Sequence, residues 1–266
     1  MWRGDSRKPF MKFSIFTTVL EADEKLARSI RSIRSKHPYD HVVTVARNFE
    51  KAQAMARELK WTCSLVSTPG ARISAGFNEA VKRTTSDLLW PLNAGDECVD
   101  VDPLVETLIE RPEFDIAYGD TLEDGMARKW KRPPITTGTI RLHGMPYCHG
   151  GIVYRRRLHD LHGYYPEDYP ISMDFAFLAK AIASGSRSAY VPKVVAEIEA
   201  AGNSGRAWAR SVDSGRAIRP FTPAPVAWLM VLKWTCFSHI RDALRSLEVG
   251  RARATARAGV GPRSQG

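Results

Sequence analysis

The sequence predicts an α/β protein with one central sheet flanked by helices, and three observations carry that expectation. Short apolar and β-branched runs alternate with helix-spaced segments over the first hundred residues, the arrangement that builds a parallel sheet with helices on both faces. The chain has 266 residues, enough to bury a substantial core. Its 44% apolar and 26% charged residues match an ordinary globular protein and exclude a disordered chain, a collagen-like fibre or a disulfide-dense mini-protein.

Taken in order, Phe13–Val19 (FSIFTTV) reads as a buried strand. Residues 24–35 place Leu26, Ile30 and Ile33 at helical spacing, with Asp23 as the cap. A second strand follows at 41–45 (HVVTV), a second helix at 50–59 and a third strand at 63–66. Residues 77–83 read as the third helix and 87–92 (DLLWPL) as the fourth strand. Beyond Asp102 the alternation changes. Strands are expected at 116–119, at 149–155 and within 189–199, a helix at 175–183, and a basic, Pro-containing loop over 125–138. Residues 202–225 are rich in Gly, Ser and Pro and read as a linker. The tail from Val249, rich in Arg, Ala and Gly, and the polar start over 1–11 are expected to be disordered. Patterned sequence begins at Met11, which makes it a candidate start. The expected organisation is therefore an extension over 1–11, a catalytic-size domain over 12–205 with halves 12–100 and 101–205, and a C-terminal region over 206–266.

Charge narrows the partners. The formal net is +10, but residues 1–12 carry +3 of it and residues 239–266, with six arginines, another +4. A nucleic-acid-binding domain concentrates its cations on the folded body, so nucleic acid is not an expected partner. Basic ends suit an anionic membrane surface instead. Cys63, Cys98, Cys148 and Cys236 lie far apart, form no CxxC pair, and read as thiols inside a reducing, cytoplasmic compartment. No secretory signal is recognised.

In a doubly wound sheet, ligands sit beyond the carboxyl ends of the strands. The first place to look is therefore residues 17–21, 45–48, 67–72 and 93–97. Asn93-Ala94-Gly95-Asp96-Glu97 ends the fourth strand with an amide and two carboxylates. Such oxygens suit a hard divalent cation, and the same residues also make an ordinary turn. Asp174 heads the 175–183 helix, where it would act either as a general base across the crevice or as a carboxylate favoured by the helix dipole. His149 precedes a strand, as a ligand-facing or a packed histidine, and Gly150 and Gly151 beside it permit close backbone approach.

In their order along the chain, these segments resemble the family 2 glycosyltransferases of the GT-A fold, particularly bacterial enzymes that build surface polysaccharides. FSIFTTVLEADEKLARSIRSI is similar to the family's first strand, nucleotide loop and first helix. ISAGFNEAVKRTTSDLLWPLNAGDE is similar to its approach to the metal motif, with NAGDE at the Asp-x-Asp position. Tyr118-Gly119-Asp120 resembles a recurring element, MPYCHGGIVYRRRLHDLHGYYPEDYPISMDFAFLAKAIASG the acceptor half, and AGNSG (201–205) a closing Gly-Ser element. The resemblance covers about three-quarters of the chain. It implies a Rossmann-like mixed central sheet flanked by helices, with a C-terminal helical tail.

It also implies an inverting transfer from a nucleotide-sugar donor, UDP being the expected nucleotide, to a glycan or lipid-linked hydroxyl. Asp174 would be the catalytic base. Asp96 would hold Mg²⁺ or Mn²⁺. Thr17, Glu21, Arg72, Asn78, Asn93 and Asp96 would line the donor side, and His149 would lie near the acceptor or the diphosphate. Departures are visible. Val45-Ala46-Arg47 stands where the family often has a base-reading Asp, Arg72 where it has a Gly, and Gly150 where it has a Gln; the metal element has one clear Asp. The alternative they leave is a catalytically degenerate nucleotide-binding or scaffold protein. A nucleotidyltransferase shares the sheet and metal logic, but the Gly-rich phosphate loop it needs is missing near the first strand.

Residues 225–247 carry Val226, Trp228, Leu229, Met230, Leu232, Trp234 and Phe237, broken by Lys233. The run is too short to span a bilayer. It reads either as an amphipathic helix lying in the interface of the cell membrane's inner face or as a helix packed on the catalytic domain.

Overall fold

A computed structural model describes residues 12–123, 125–128, 134–199 and 207–240. The expected disorder over 1–11, the 201–205 element, part of the basic loop and the basic tail beyond 240 lie outside the described residues. The elements are β1 (Phe13–Val19), α1 (Glu24–Ser32), β2 (Tyr39–Val45), α2 (Phe49–Glu58), β3 (Ser64–Ser67), α3 (Ile73–Arg83), β4 (Leu88–Pro91), β5 (Glu97–Cys98), α4 (Asp102–Glu110), β6 (Ile116–Glu123), β7 (Met126–Arg128), α5 (Thr137–His143), β8 (Ile152–Arg155), α6 (Arg157–His162), α7 (Met173–Ala183), β9 (Ser188–Ile198) and α8 (Ala207–Ile218). A further helix, α9, occupies 224–240.

Among the described residues one mixed sheet runs in the order β3-β2-β1-β4-β8-β6-β9-β5, with β7 added to β6. β1 to β4 are mutually parallel, as the alternation in the first hundred residues requires. β8 is antiparallel to β4 and to β6, and β9 is parallel to β6. Successive residues of a strand point to opposite faces, and β1 sorts accordingly: Phe13 and Ile15 join one core with Trp90, Leu104 and Leu108, and Phe16 joins the other with Phe77, Tyr118 and Phe175. A smaller core of Leu26, Val43, Val45 and Ala52 lies under α1 and α2. α1 begins where expected, because the Asp23 carboxylate accepts the Lys25 and Leu26 amides at 3.0 and 3.2 Å.

Several expectations are corrected. The third helix starts at Ile73, a turn before residue 77. His149 does not begin a strand: His149–Gly151 is a 3₁₀ turn, since the Gly150 carbonyl is taken by the Trp90 indole at 2.9 Å rather than by a neighbouring strand. Residues 207–225 are not a linker, because α8 fills half of the 202–225 stretch, and Ala217 and Ile218 complete the same core as α7. α4, α5 and α6 had no counterpart in the pattern. The four cysteines are thiols, three half-buried and Cys236 exposed, and burial pushes the Cys63 thiol up to about 11.

Candidate functional site

Strand direction assembles the site. The carboxyl ends of β1 to β4 share one edge. β8 runs the other way, so its beginning lies at that edge, and β6 and β9, reversed again, bring their carboxyl ends back to it. Three short segments distant in sequence meet there: 92–96 after β4, the 149–151 turn before β8, and Ile198-Glu199 at the end of β9.

Asp96 is the most enclosed of the acidic groups at this edge, 3% exposed. One carboxylate oxygen accepts the Glu199 amide at 3.0 Å and the other the Asn93 side-chain amide at 3.0 Å. The Asp96 amide closes the turn on the Asn93 carbonyl at 3.1 Å, and Ser29 of α1 accepts the Gly95 amide at 2.9 Å. Burial pushes the Asp96 carboxyl up to about 6, with the nearby Glu199 charge adding to the rise and the hydrogen bonds opposing it. Two glycines permit the arrangement. Gly95 sits at φ +102, where a side chain would also meet the Glu199 carboxylate at 2.7 Å; a Cβ on Gly150 would lie 3.1 Å from the Asp96 carboxylate. The Glu199 side chain, paired with Lys25 at 2.8 Å, therefore lies over the same loop.

Asp174 is half-buried at the start of α7, its carboxylate accepting the Phe175 amide at 2.8 Å. Its charge reaches both His149 and Tyr165. His149 is 7% exposed, edge-on to Phe77 and Tyr165, and its Nε2 lies 3.0 Å from the Tyr165 hydroxyl. Burial holds its pKa below the usual histidine range, so the ring is neutral near pH 7. The structure thus brings Asp96 and Asn93 against the 149–151 turn, and Asp174 near enough for its charge to act on His149.

The remaining sequence-derived residues fall elsewhere. Thr17 is fully buried, its hydroxyl donating to the Leu92 carbonyl at 2.6 Å and meeting His41 Nε2 at 2.9 Å, so it fastens β1 to the loop after β4. Glu21 is ion-paired with Lys51 at 2.9 Å, which, with Asn48, holds its carboxyl below the usual range. Arg72 is exposed before α3, 3.5 Å from the Glu167 carbonyl. Asn78 is buried with its amide fully engaged: it donates to the Tyr165 carbonyl at 2.9 Å and to Glu167 at 3.2 Å, and accepts the Tyr165 amide at 2.9 Å. It acts as a strut for the 163–167 loop, whose Tyr165 touches His149. Glu199, Lys25 and Tyr165 went unrecognised in the sequence; the strand-end rule that selected 93–97 would have selected Glu199 had the direction of β9 been known.

Among the described residues no cluster of three or more His, Cys, Asp or Glu groups forms a ready metal cage. The donors at hand are the oxygens of Asp96, Asn93 and Glu199, all hard. That set suits a cation completed by substrate phosphates, as Mg²⁺ and Mn²⁺ commonly are. The raised Asp96 pKa fits too, since a buried carboxylate without a cation is held in an unfavourable state.

The fold is that of the GT-A glycosyltransferases. Residues 1–349 of Staphylococcus aureus TarS superpose with a TM-score of 0.62 at 13% identity, covering 84% of this chain and 70% of that one. The same protein in complex with UDP-GlcNAc gives 0.62 at 14% identity, covering 84% and 71%. The mannosyltransferase PcManGT from Pyrobaculum calidifontis, in complex with GDP-Man and Mn²⁺, gives 0.60 at 16% identity, covering 97% of this chain and 77% of that one. No protein-family model and no curated protein matches the chain.

Proposed function

We propose that this chain is an inverting, metal-assisted glycosyltransferase of the family 2 type, moving a sugar from a nucleotide donor to a hydroxyl of a glycan or lipid-linked acceptor. The observation that supports the reading is that two carboxylates act on one glycine-rich turn: Asp96 packs against Gly150, and the charge of Asp174 is felt by the adjoining His149. The solved structures of like fold hold UDP-GlcNAc or GDP-Man, which supports a nucleotide-sugar donor here.

In this reading Asp96, with Asn93 and Glu199, would hold Mg²⁺ or Mn²⁺. Such an ion, when bound, neutralises charge developing on a leaving diphosphate. Asp174 takes the proton of the attacking hydroxyl as its oxygen bonds to the anomeric carbon. The anomeric carbon–oxygen bond to the diphosphate breaks on the opposite side, and its electron pair leaves with the nucleotide. Glu21 and Arg72 line the donor side, while the buried Thr17 supports it from behind by fastening β1 to the loop after β4. Asp96→Asn or Asp174→Asn lowers transfer at least about a hundredfold, the ordinary worth of a general base or more, with circular dichroism unchanged. A wild-type rate in either variant overturns that residue's role.

The C-terminal helix supports a peripheral seat on the inner face of the membrane. α9 packs Ala227, Met230 and Val231 into the core, and it leaves Trp228, Leu229, Leu232 and Ile240 exposed on its far side. The helix is packed on one face, as the second reading of 225–247 has it, and its other face, bare and apolar, is what supports the first. Among the described residues no helix is long and apolar enough to cross a membrane. A bare apolar face ahead of a sequence with six arginines suits adsorption to anionic lipid.

A further inference from the structure

Behind His149 runs a buried chain of hydrogen bonds. His149 Nε2 lies 3.0 Å from the Tyr165 hydroxyl, which lies 2.7 Å from the Tyr154 hydroxyl, which lies 2.9 Å from His159 Nε2. The chain ends where His159 Nδ1 meets the Gly163 carbonyl at 3.1 Å. These groups interlock with Phe77 and Phe177: His159 stacks on Phe177 at 4.4 Å, and Phe77 stands edge-on to His149 at 5.5 Å.

The far end fixes every proton. A carbonyl only accepts, so His159 Nδ1 carries a hydrogen. Burial keeps His159 neutral, its pKa pushed down to about 4, so its Nε2 is an acceptor. Tyr154 must therefore donate to His159, and with its single proton spent it can only accept from Tyr165. Tyr165 in turn can only accept from His149. The one remaining assignment puts a hydrogen on His149 Nε2 and leaves a lone pair on Nδ1. Among the described residues that Nδ1 makes no hydrogen bond, and His149 as a whole keeps 7% of its surface exposed.

We infer that the Gly163–His159–Tyr154–Tyr165 chain locks His149 as the Nε2–H tautomer, so that its Nδ1 meets the substrate as a hydrogen-bond acceptor for a sugar hydroxyl and not as a cationic or N–H contact for a diphosphate. The inference rests on the sugar-transfer reading for the identity of the hydroxyl, but not for the tautomer. It assigns His149 to substrate recognition, and His159, Tyr154 and Tyr165 to positioning. A hydroxyl is the natural complement: in the sugar-transfer reading, the O–H donors a substrate brings are those of the sugars being joined. A phosphate, which only accepts, is repelled by a lone pair.

The tautomer is read directly from nitrogen chemical shifts of the full chain labelled with ¹⁵N-histidine at pH 7, His149 being identified by the signals lost in His149→Gln. Wild type shows a protonated Nε2 and an unprotonated Nδ1. In Tyr154→Phe, which keeps the ring and removes one oxygen, Tyr165 has no hydroxyl to donate to. It then donates to His149 Nε2, and the proton on His149 moves to Nδ1. The KM for the glycosyl acceptor rises about tenfold, the worth of one good hydrogen bond, with the donor KM unchanged. A wild-type His149 protonated on Nδ1, or on both nitrogens, overturns the inference, as does an Nε2–H tautomer retained in Tyr154→Phe. Should that variant fail to fold, the wild-type spectrum decides alone. The expected tautomers in a chain that transfers no sugar would sink the sugar-transfer reading and leave the lock standing; transfer with the opposite tautomer would do the reverse.

Discussion

At the scale of single residues, Asp96 carries a signature that stability measurements can read. Its folded pKa of about 6 exceeds the unfolded carboxylate value of about 3.9, so between those pH values the native state binds more protons than the unfolded one. Stability contributed by the protonated form is present below pH about 4 and is lost as pH rises through about 6. Metal-free protein therefore loses about 3 kcal/mol of unfolding free energy across that window. Asp96→Asn removes the loss, because the Asn93 amide can turn over to meet the new NH₂ while the Glu199 amide keeps its acceptor. Urea melts at pH 4, 5, 6 and 7 in EDTA decide it: a wild-type slope equal to that of Asp96→Asn would show that the carboxyl is not desolvated. Asp96 was legible as a candidate because a strand ends just before it in sequence. Glu199 was not, because no local pattern tells which edge the carboxyl end of β9 reaches; that follows only from its pairing with β6.

At the scale of elements, legibility tracked how far local preference agreed with the final environment. β1, β2 and β4 are short apolar runs buried on both faces, and nothing else suits them. α8 is the opposite case: AWARSVDSGRAI holds a glycine and two serines, weak helix formers, and reads as loop. It is helical because Ala217 and Ile218 are buried against the same core as α7 and α9, a tertiary gain that outweighs propensity. α4 carried a start signal that the reading of the pattern passed over, with Pro103 in its first turn and Leu104, Val105 and Leu108 buried. α9 combines the two situations, and its exposed face is separable from its packed one. Replacing Trp228, Leu229 and Leu232 together by Ser changes the melting temperature little, since surface substitutions stay within about 0.5 kcal/mol each. The same triple variant no longer floats with anionic vesicles, whereas wild type does. Removing the whole helix is the poorer experiment, because it strips Met230 and Val231 from the core. Equal flotation of the triple variant and wild type would remove α9 from membrane binding.

At the scale of the whole molecule, the edge that bears the acidic groups is made by strands from both halves of the chain, and no single element holds it. Asp96 follows β4 of the first half; the His149–Gly151 turn, Asp174 and Glu199 all belong to the second. A ligand gripping this edge bridges the halves and binds only the folded chain, so it must raise stability by RT ln(1 + [L]/Kd), about 2.7 kcal/mol at a hundredfold excess over Kd. For a chain of this size each kcal/mol moves the melting temperature by about 2–4 °C. A panel of UDP-, GDP- and dTDP-sugars, each with Mg²⁺, Mn²⁺ or EDTA, therefore yields a shift of several degrees for the matching nucleotide alone. The shift grows with the logarithm of ligand concentration and collapses in EDTA. In Asp96→Asn the metal-dependent part vanishes, and in Asp174→Asn it persists, because the proposed mechanism sets Asp174 against the hydroxyl and not the diphosphate. A shift of equal size in EDTA and in Mn²⁺ would remove the cation from the mechanism while leaving the donor. No shift with any nucleotide sugar would remove the donor itself, since a sheet edge built from three separated segments cannot hold a ligand of that size without gaining stability from it.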